Sequence, residues 1–260
     1  MKFSIITVVK DELFKIGLSV QSLKNQTFKD YEHIIFDGES IDGTSEFLKK
    51  NLNHKTLYFR EKDNGAYDAI NKSFKKVSGE YILLLHAGDF FYSQDSLDQL
   101  AKFIDKNNNF DFFYSNLLFY NLSNLNVTRV WNIASNNNNK LNFLKIAHTT
   151  LCINKRISKN LFYDHKFKIS ADTDYLYNIC RNFNGKYFNN FFIFMDDKGL
   201  SNSKKYFFNK FFEDIQILYK RFNIFFLIIL MYKYFIKIPG IFNKEKKFNK
   251  LLNIEINKLI

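Results

Sequence analysis

Gly79-Glu-Tyr-Ile-Leu-Leu-Leu-His-Ala-Gly-Asp89 is the stretch on which the reading of this chain turns. Tyr81 to Leu85 is an unbroken apolar run of strand length, the pattern of a strand buried on both faces. It stops abruptly at His86-Ala-Gly-Asp89, a small polar turn. Working outward, Phe3 to Val9 is a second β-branched strand, and Leu13 to Leu23 repeats apolar residues at helical spacing. Glu32 to Phe36 reads as a strand that ends at Asp37-Gly38. Helical patterns follow at Ser45 to Leu52 and Ala66 to Val77, with a short strand near Leu57 to Phe59 between them. Strands alternating with helices predict an α/β chain with a mainly parallel central sheet covered on both faces. Ligands of such sheets sit beyond the carboxyl ends of the strands. The polar clusters fall at those ends, after Val9, after Phe36 and after Leu85.

The 260 residues allow one large domain with an appendage, and 46% hydrophobic against 25% charged residues excludes a disordered chain. Two cysteines, Cys152 and Cys180, form no disulfide framework and no zinc pattern, so a reducing cytoplasm is expected. No uninterrupted apolar run reaches the roughly 18 to 20 residues of a spanning helix. Phe3 to Val9 runs straight into Lys10-Asp11-Glu12, which is no signal peptide. The net charge of +12 is concentrated near the end: residues 201–260 carry +8 and the first 200 only +4. That distribution, in a chain rich in Phe, Asn, Lys and Ile, does not call for a nucleic-acid partner.

Three local patterns carry chemistry. Asp37-Gly-Glu-Ser-Ile-Asp-Gly-Thr44 offers a strand-end carboxylate, two glycines and hydroxyls in a tight loop, able to grip a ribose or base or simply to turn the chain into a capped helix. In Glu61-Lys-Asp-Asn-Gly-Ala-Tyr-Asp-Ala-Ile-Asn-Lys72, the helix from Ala66 puts Asp68, Asn71 and Lys72 on one face, where Asp68 and Lys72 can pair. Asp89, beside Gly88 at the end of a buried strand, is placed to hold a divalent cation that bridges diphosphate oxygens.

Together these patterns resemble a known family. The ordered set is Ser4-Ile-Ile-Thr-Val8, Gln21-Ser-Leu-Lys-Asn-Gln-Thr27, the 37–44 loop, Asp63-Asn-Gly-Ala-Tyr-Asp-Ala-Ile-Asn71, the 79–89 stretch, His148-Thr-Thr and Ser170-Ala-Asp-Thr-Asp174. It is similar to bacterial family 2 glycosyltransferases of the GT-A fold, of the kind that build surface polysaccharides, over roughly residues 1 to 200. The resemblance implies an inverting transfer from a nucleotide sugar, UDP being the commonest nucleotide, to a hydroxyl of a glycan or lipid-linked acceptor, with Mn2+ or Mg2+. It implies that Thr7, Val9 and Glu12 hold the base and ribose, and that Asp37 and Ser40 contact the nucleoside. Asp68 and Lys72 would lie near the diphosphate or sugar, and His86, Ala87 and Gly88 would line the donor site. Asp89 matches the last carboxylate of the Asp-x-Asp metal motif. Asp172 matches the general base, with Asp174 the alternative, and His148 stands on the acceptor or diphosphate side.

Three departures mark this chain within that likeness. Ala87 replaces the first carboxylate of the metal motif, His86 replaces a residue that is commonly Asn, and Ala171 precedes Asp172 where Glu is usual. A nucleotidyltransferase is the alternative enzyme, but no Gly-rich basic loop for a triphosphate opens the chain. Ala87 is what favours the other alternative, a basic membrane-surface binding protein that keeps a catalytically degenerate transferase domain.

Beyond residue 200 a basic helical extension is expected (residues 201–260). Phe208, Phe211, Phe212, Ile215, Leu218, Tyr219 and Phe222 step at three and four, and an apolar run to Tyr232 leads to Lys233, Lys237 and Pro239-Gly240. Such a segment suits a helix on the inner membrane surface, or one packed on the domain or on a second subunit in a homodimer. The Asn-rich stretch Asn132 to Asn142 reads as a loop.

Overall fold

Strand β1 (Phe3–Val9) is buried along its whole length, as a strand covered on both faces must be. The computed structural model describes residues 1–133, 140–198, 206–236 and 246–259. Of the loop read at Asn132 to Asn142, residues 134–139 lie outside the described residues, as do Lys237 and Pro239-Gly240. β1 pairs in parallel with β2 (Tyr31–Asp37) and β4 (Tyr81–Leu84), and β2 pairs in parallel with β3 (Thr56–Arg60). Helices α1 (Leu13–Lys24), α2 (Thr44–Asn51) and α3 (Ala66–Phe74) make the crossovers that parallel pairing requires. The predicted alternation is thus present, with boundaries shifted by a few residues at most.

The second half continues the same sheet with mixed pairing. Its elements are β5 (Phe90–Phe91), α4 (Ser96–Asp105), β6 (Phe112–Asn121), β7 (Asn126–Trp131), β8 (Cys152–Asn154), α5 (Lys155–Ser158), α6 (Ala171–Asn182) and β9 (Gly185–Asp196). The nine strands run β3-β2-β1-β4-β8-β6-β9-β5, with β7 paired on β6. β8 enters antiparallel between β4 and β6, while β6 and β9 run parallel. β6 and β7 form a hairpin, which needs only a turn and so needs no helix between. The α/β class holds throughout.

Two close approaches fix the sheet's inner geometry. Gly79 lies against the backbone of Phe3 and Ser4, where an added Cβ would sit 2.7 Å from two backbone atoms. Beside it the buried Glu32 carboxylate accepts from Ser4 Oγ (2.5 Å), Ser78 N (2.6 Å) and Gly79 N (3.1 Å). Burial alone would raise this carboxyl, but those donors outweigh burial and hold it below its usual range. The loop before β4 is therefore locked, and the strand delivers His86 to Asp89 at a defined place.

Three helices close the chain: α7 (Phe207–Phe222), α8 (Phe226–Phe235) and α9 (Lys246–Asn257). By length and mean hydropathy, 1.5 over its most apolar window, the run Phe207–Phe235 could cross a bilayer as one helix. It does not run straight. Lys233 Nζ and Asp214 Oδ1, 19 residues apart, meet at 2.6 Å, whereas a continuous helix would separate them by about 28 Å. Asn223, with φ of 49°, is the break, and α7 and α8 form a hairpin. The hairpin is tied to the domain by Arg221 on Asp174, 2.7 Å, and by Glu213, whose carboxylate accepts from the backbone N–H groups of Lys168, Ile169 and Ser170. α9 buries Leu252 and Ile256 against Phe90, Leu118 and Val127 of the sheet.

Candidate active site

A cavity of about 370 Å3 opens beyond the carboxyl ends of β1 and β4, where the topology places a ligand. Val9 and Glu12 come to it from the end of β1, Asp63 and Tyr67 from the approach to α3, and His86, Ala87 and Asp89 from the end of β4. His148 enters from a short 3-10 turn, and Met195 and Asp196 from the end of β9. Gly88 shapes the loop rather than the wall. Its φ of 92° suits glycine, its N–H donates to Ser19 Oγ (3.0 Å), and its carbonyl accepts from Tyr120 (2.6 Å).

Two of the carboxylates that line this cavity, Asp89 and Asp196, are buried. Asp89 is buried, its Oδ1 accepting from Asp196 N at 3.2 Å, and its Oδ2 has no hydrogen-bond partner among the described residues. Burial, with the Asp196 charge added, pushes its carboxyl well above the usual range. Lys15 Nζ reaches Asp196 Oδ2 at 3.1 Å and Glu12 at 3.2 Å. An orphaned buried oxygen beside a second carboxylate, at the edge of a cavity, is a donor set that suits a divalent cation sharing oxygens with a substrate. No cluster of three or more His, Cys, Asp or Glu occurs among the described residues, so substrate oxygens would have to complete such a site.

A smaller cavity of about 150 Å3 adjoins the first, and His148 and Met195 line both. Asp172, in the first turn of α6, lines the smaller one. Its Oδ2 meets His148 Nδ1 at 3.3 Å, and His148 Nε2 meets His86 Nε2 at 3.2 Å, so a carboxylate and two imidazoles form a row between the cavities. Burial would raise the Asp172 carboxyl. The hydrogen bond and charge of His148, with the fields of Lys233 and Lys210, overcome burial and hold it far below the usual range. His86 is pushed down to about 3 by burial and by His148. The row thus holds an ionised carboxylate at one end and a neutral imidazole at the other.

The other expected residues lie elsewhere. Thr7 is fully buried, its hydroxyl donating to Leu85 O (2.7 Å) and touching His33 Nε2 (2.9 Å), so its side chain ties strands together and does not reach the cavity. Asp37 is buried within its own loop, accepting from Ser40 N (2.8 Å), Tyr58 (2.7 Å) and Ser45. Burial raises its carboxyl, and these donors more than reverse that. Ser40 Oγ accepts from Asp11 N (2.9 Å). In the same loop, Asp42 Oδ2 accepts from Leu13 N (3.0 Å) and Thr44 Oγ1 from Glu12 N (3.1 Å), which caps α1. Asp68 and Lys72 pair at 3.2 Å, and they hold the 62–64 backbone through Asn64 N (2.9 Å) and Lys62 O (2.6 Å). They support the rim rather than lining the wall. Asp174 faces Arg221 and lines neither cavity. Lys15, Asp63, Tyr67 and Asp196 were not singled out from sequence. Asp196-Asp197 directly follows the apolar run Phe191 to Met195, the same strand-end signal that marked Asp89.

The profile of the family described as Glycosyl transferase family 2 matches residues 4–170. The chain belongs to glycosyl transferase family 2. A PGL/p-HBAD biosynthesis glycosyltransferase of Mycobacterium bovis is 30% identical over 119 residues, 45% of this chain and 46% of that protein. A glycosyltransferase of Rickettsia bellii is 33% identical over 108 residues, 41% of this chain and 16% of its own length. The chain thus spans about half the length of the mycobacterial relative. Among solved structures, S. aureus TarS in complex with UDP superposes with a TM-score of 0.67 at 18% identity, over 86% of this chain and 66% of that one. The mannosyltransferase PcManGT of Pyrobaculum calidifontis, in complex with GDP-Man and Mn2+, gives 0.61 at 14% identity, over 90% and 69%. These likenesses show the GT-A glycosyltransferase fold for this family 2 chain.

Proposed function

We propose that this glycosyltransferase moves a sugar, with inversion, from a nucleoside diphosphate held in the larger cavity to a hydroxyl presented from the smaller one. The observation that carries the reading is the pair of adjoining cavities, with Asp172 on one side of His148 and Asp89 with Asp196 on the other. In-line displacement at an anomeric carbon needs a base where the hydroxyl arrives and positive charge where the diphosphate departs. Asp172, ionised and lining the smaller cavity, takes the acceptor proton. Asp174, held by Arg221, does not. Asp89 and Asp196 would hold Mn2+ or Mg2+, which supplies Lewis-acid charge at the diphosphate. Val9 and Glu12 face the donor, while the Asp37–Ser40 loop and the Asp68–Lys72 pair set the walls around it.

UDP is the nucleotide we assign, supported by the UDP-bound TarS likeness. The Mn2+-bound mannosyltransferase supports a divalent cation. The acceptor is a glycan or lipid-linked sugar of surface polysaccharide synthesis, used at the cytoplasmic face of the membrane. The α7–α8 hairpin supports this membrane placement through its exposed Phe208, Phe212, Ile224, Leu227, Ile228 and Met231. The test is thermal stability of the purified chain with UDP, GDP, dTDP or CMP, each with and without Mn2+. A ligand at about 100 times its dissociation constant adds roughly 2.7 kcal/mol. The expected result is a Mn2+-dependent shift with UDP that Asp89→Ala abolishes. A folded sample that responds to none of the four would overturn the proposal.

A further inference from the structure

The smaller cavity has an imbalance that proton abstraction does not explain. Three cationic side chains line it, Arg129, Lys210 and Lys233, against the single carboxylate of Asp172. Lys233 is neutralised from behind by Asp214 and donates to Thr173 Oγ1 at 2.7 Å. Arg129 is different. Its guanidinium carbon lies 3.6 Å from the Phe119 ring centroid and 5.3 Å from that of Trp131, so both rings hold the group by cation–π contact. Its buried Nε has no hydrogen-bond partner, and no carboxylate pairs with it, among the described residues. Burial, the dominant influence, pulls the guanidinium down to about 10 against the opposing field of Asp197.

A half-buried cation whose Nε–H is buried and unmet is costly unless something supplies an acceptor. A guanidinium held in place is shaped for two parallel hydrogen bonds to a phosphate or carboxylate. The position of the group narrows the occupant: it lines the cavity that holds Asp172 and lies across His148 from the donor side. We infer that the smaller cavity receives an acceptor bearing an oxyanion, a phosphate ester or a carboxylate, anchored by Arg129 so that its hydroxyl meets Asp172. The inference rests on the proposed transfer, and names the acceptor's chemical class. Arg129 binds the acceptor and takes no part in bond making.

The chain has five arginines, so its arginine Nε–H resonances are few, and Arg129→Lys identifies the relevant one by its absence. Inorganic phosphate, methyl phosphate and glucuronate are titrated separately at constant ionic strength, with chloride as the control and then with UDP and Mn2+ added. The expected result is a saturable shift of the Arg129 resonance with at least one oxyanion and none with chloride, retained when UDP is present. Response to the phosphates alone assigns a phosphorylated acceptor, and response to glucuronate alone a carboxylated one. Arg129→Gln should weaken that binding at least tenfold while melting no earlier than the parent chain, since it removes a half-buried charge with an unmet Nε–H. An Arg129 resonance that no oxyanion moves, in a sample that still binds UDP, overturns the inference and leaves the transfer standing. An oxyanion-dependent shift in a chain that binds no nucleotide does the reverse.

Discussion

Replacing Glu213 by alanine tests whether the C-terminal hairpin is part of the catalytic machinery. Glu213 Oε2 accepts from Ile169 N (2.9 Å) and Ser170 N (2.8 Å), and Oε1 from Lys168 N (2.8 Å). These three N–H groups lead directly into the first turn of α6, which carries Asp172. The bond at Lys168 is exposed, and water would replace it at little cost. The other two are partly buried. Hydrogen bonds to a charged acceptor contribute about 1.5 to 3 kcal/mol each, so two at the lower end predict a loss of about 3 kcal/mol. The same substitution frees the backbone that aims Asp172, so transfer should fall at least tenfold, while nucleotide binding on the far side of His148 is kept. Urea unfolding at pH 7.5 with product formation measures both. Glu46→Ala, an exposed site on α2, is the control and should stay within about 0.5 kcal/mol. A Glu213→Ala chain as stable and active as that control would refute the argument, and with it the claim that the hairpin positions the base.

His33 should give acid sensitivity with a definite sign. Burial, assisted by the Lys24 charge, pushes it down to about 3, whereas in the unfolded chain it titrates near 6.5. Its stability is therefore present above pH 6.5 and lost below it, by about 2 kcal/mol at pH 5. His33→Gln should flatten that part of the urea-unfolding profile, and an unchanged slope would contradict it. Asp172→Asn should cut transfer by about 10^2 to 10^4 with UDP binding intact, while Asp174→Asn, which loses its Arg221 pair, should mainly lower stability; the reverse order of effects on turnover would exchange their roles. Leu227→Asp with Ile228→Asp, both exposed on α8, should abolish co-sedimentation with anionic lipid vesicles and leave a fold unchanged by circular dichroism. Equal sedimentation of parent and variant would count against the membrane contact.

What sequence could reveal followed from local pattern. The strand at Tyr81 to Leu85 and its polar end are contiguous, so Asp89 was legible from its neighbours alone. Asp196 carries the same signal, but its partner lies 107 residues away, and no local rule pairs two strand ends across a mixed sheet. The 37–44 loop was ambiguous in a different way. Its acids and hydroxyls suit a ligand as well as they suit a scaffold, since both need the same acceptors. Only the register of α1 against this loop shows Asp42 and Thr44 spent on capping and Asp37 spent on Ser40, Ser45 and Tyr58. Arg129 carried no sequence signal, because its meaning depends on Phe119, across the hairpin, and on a cavity that several distant segments enclose.

The hairpin shows why period alone could not say which side of the tail faces the domain. A stripe at three and four marks one helix face, and the usual inference turns that face inward. Here Leu218 is sealed from water, yet Phe208, Phe212 and Tyr219 of the same stripe stand more than half exposed. The charges Asp214 and Lys233 are turned inward, fully or nearly buried, beside Ile217, Leu218 and Leu230. Salt bridges are poor reasons to bury charge for stability, because desolvation offsets most of the attraction. Removing one partner of such a pair is what costs heavily. The arrangement makes sense if the inner face serves the site, with Lys233 on Thr173 beside Asp172, and if the outer face does not meet water. Under the proposed function, two requirements on one pair of helices, cations toward an acceptor and apolar rings toward a bilayer, would together produce this division of the stripe. Neither requirement alone would do so, because a helix that only packed on the domain would turn its aromatic stripe inward, and one that only met lipid would have no use for a buried Lys–Asp pair.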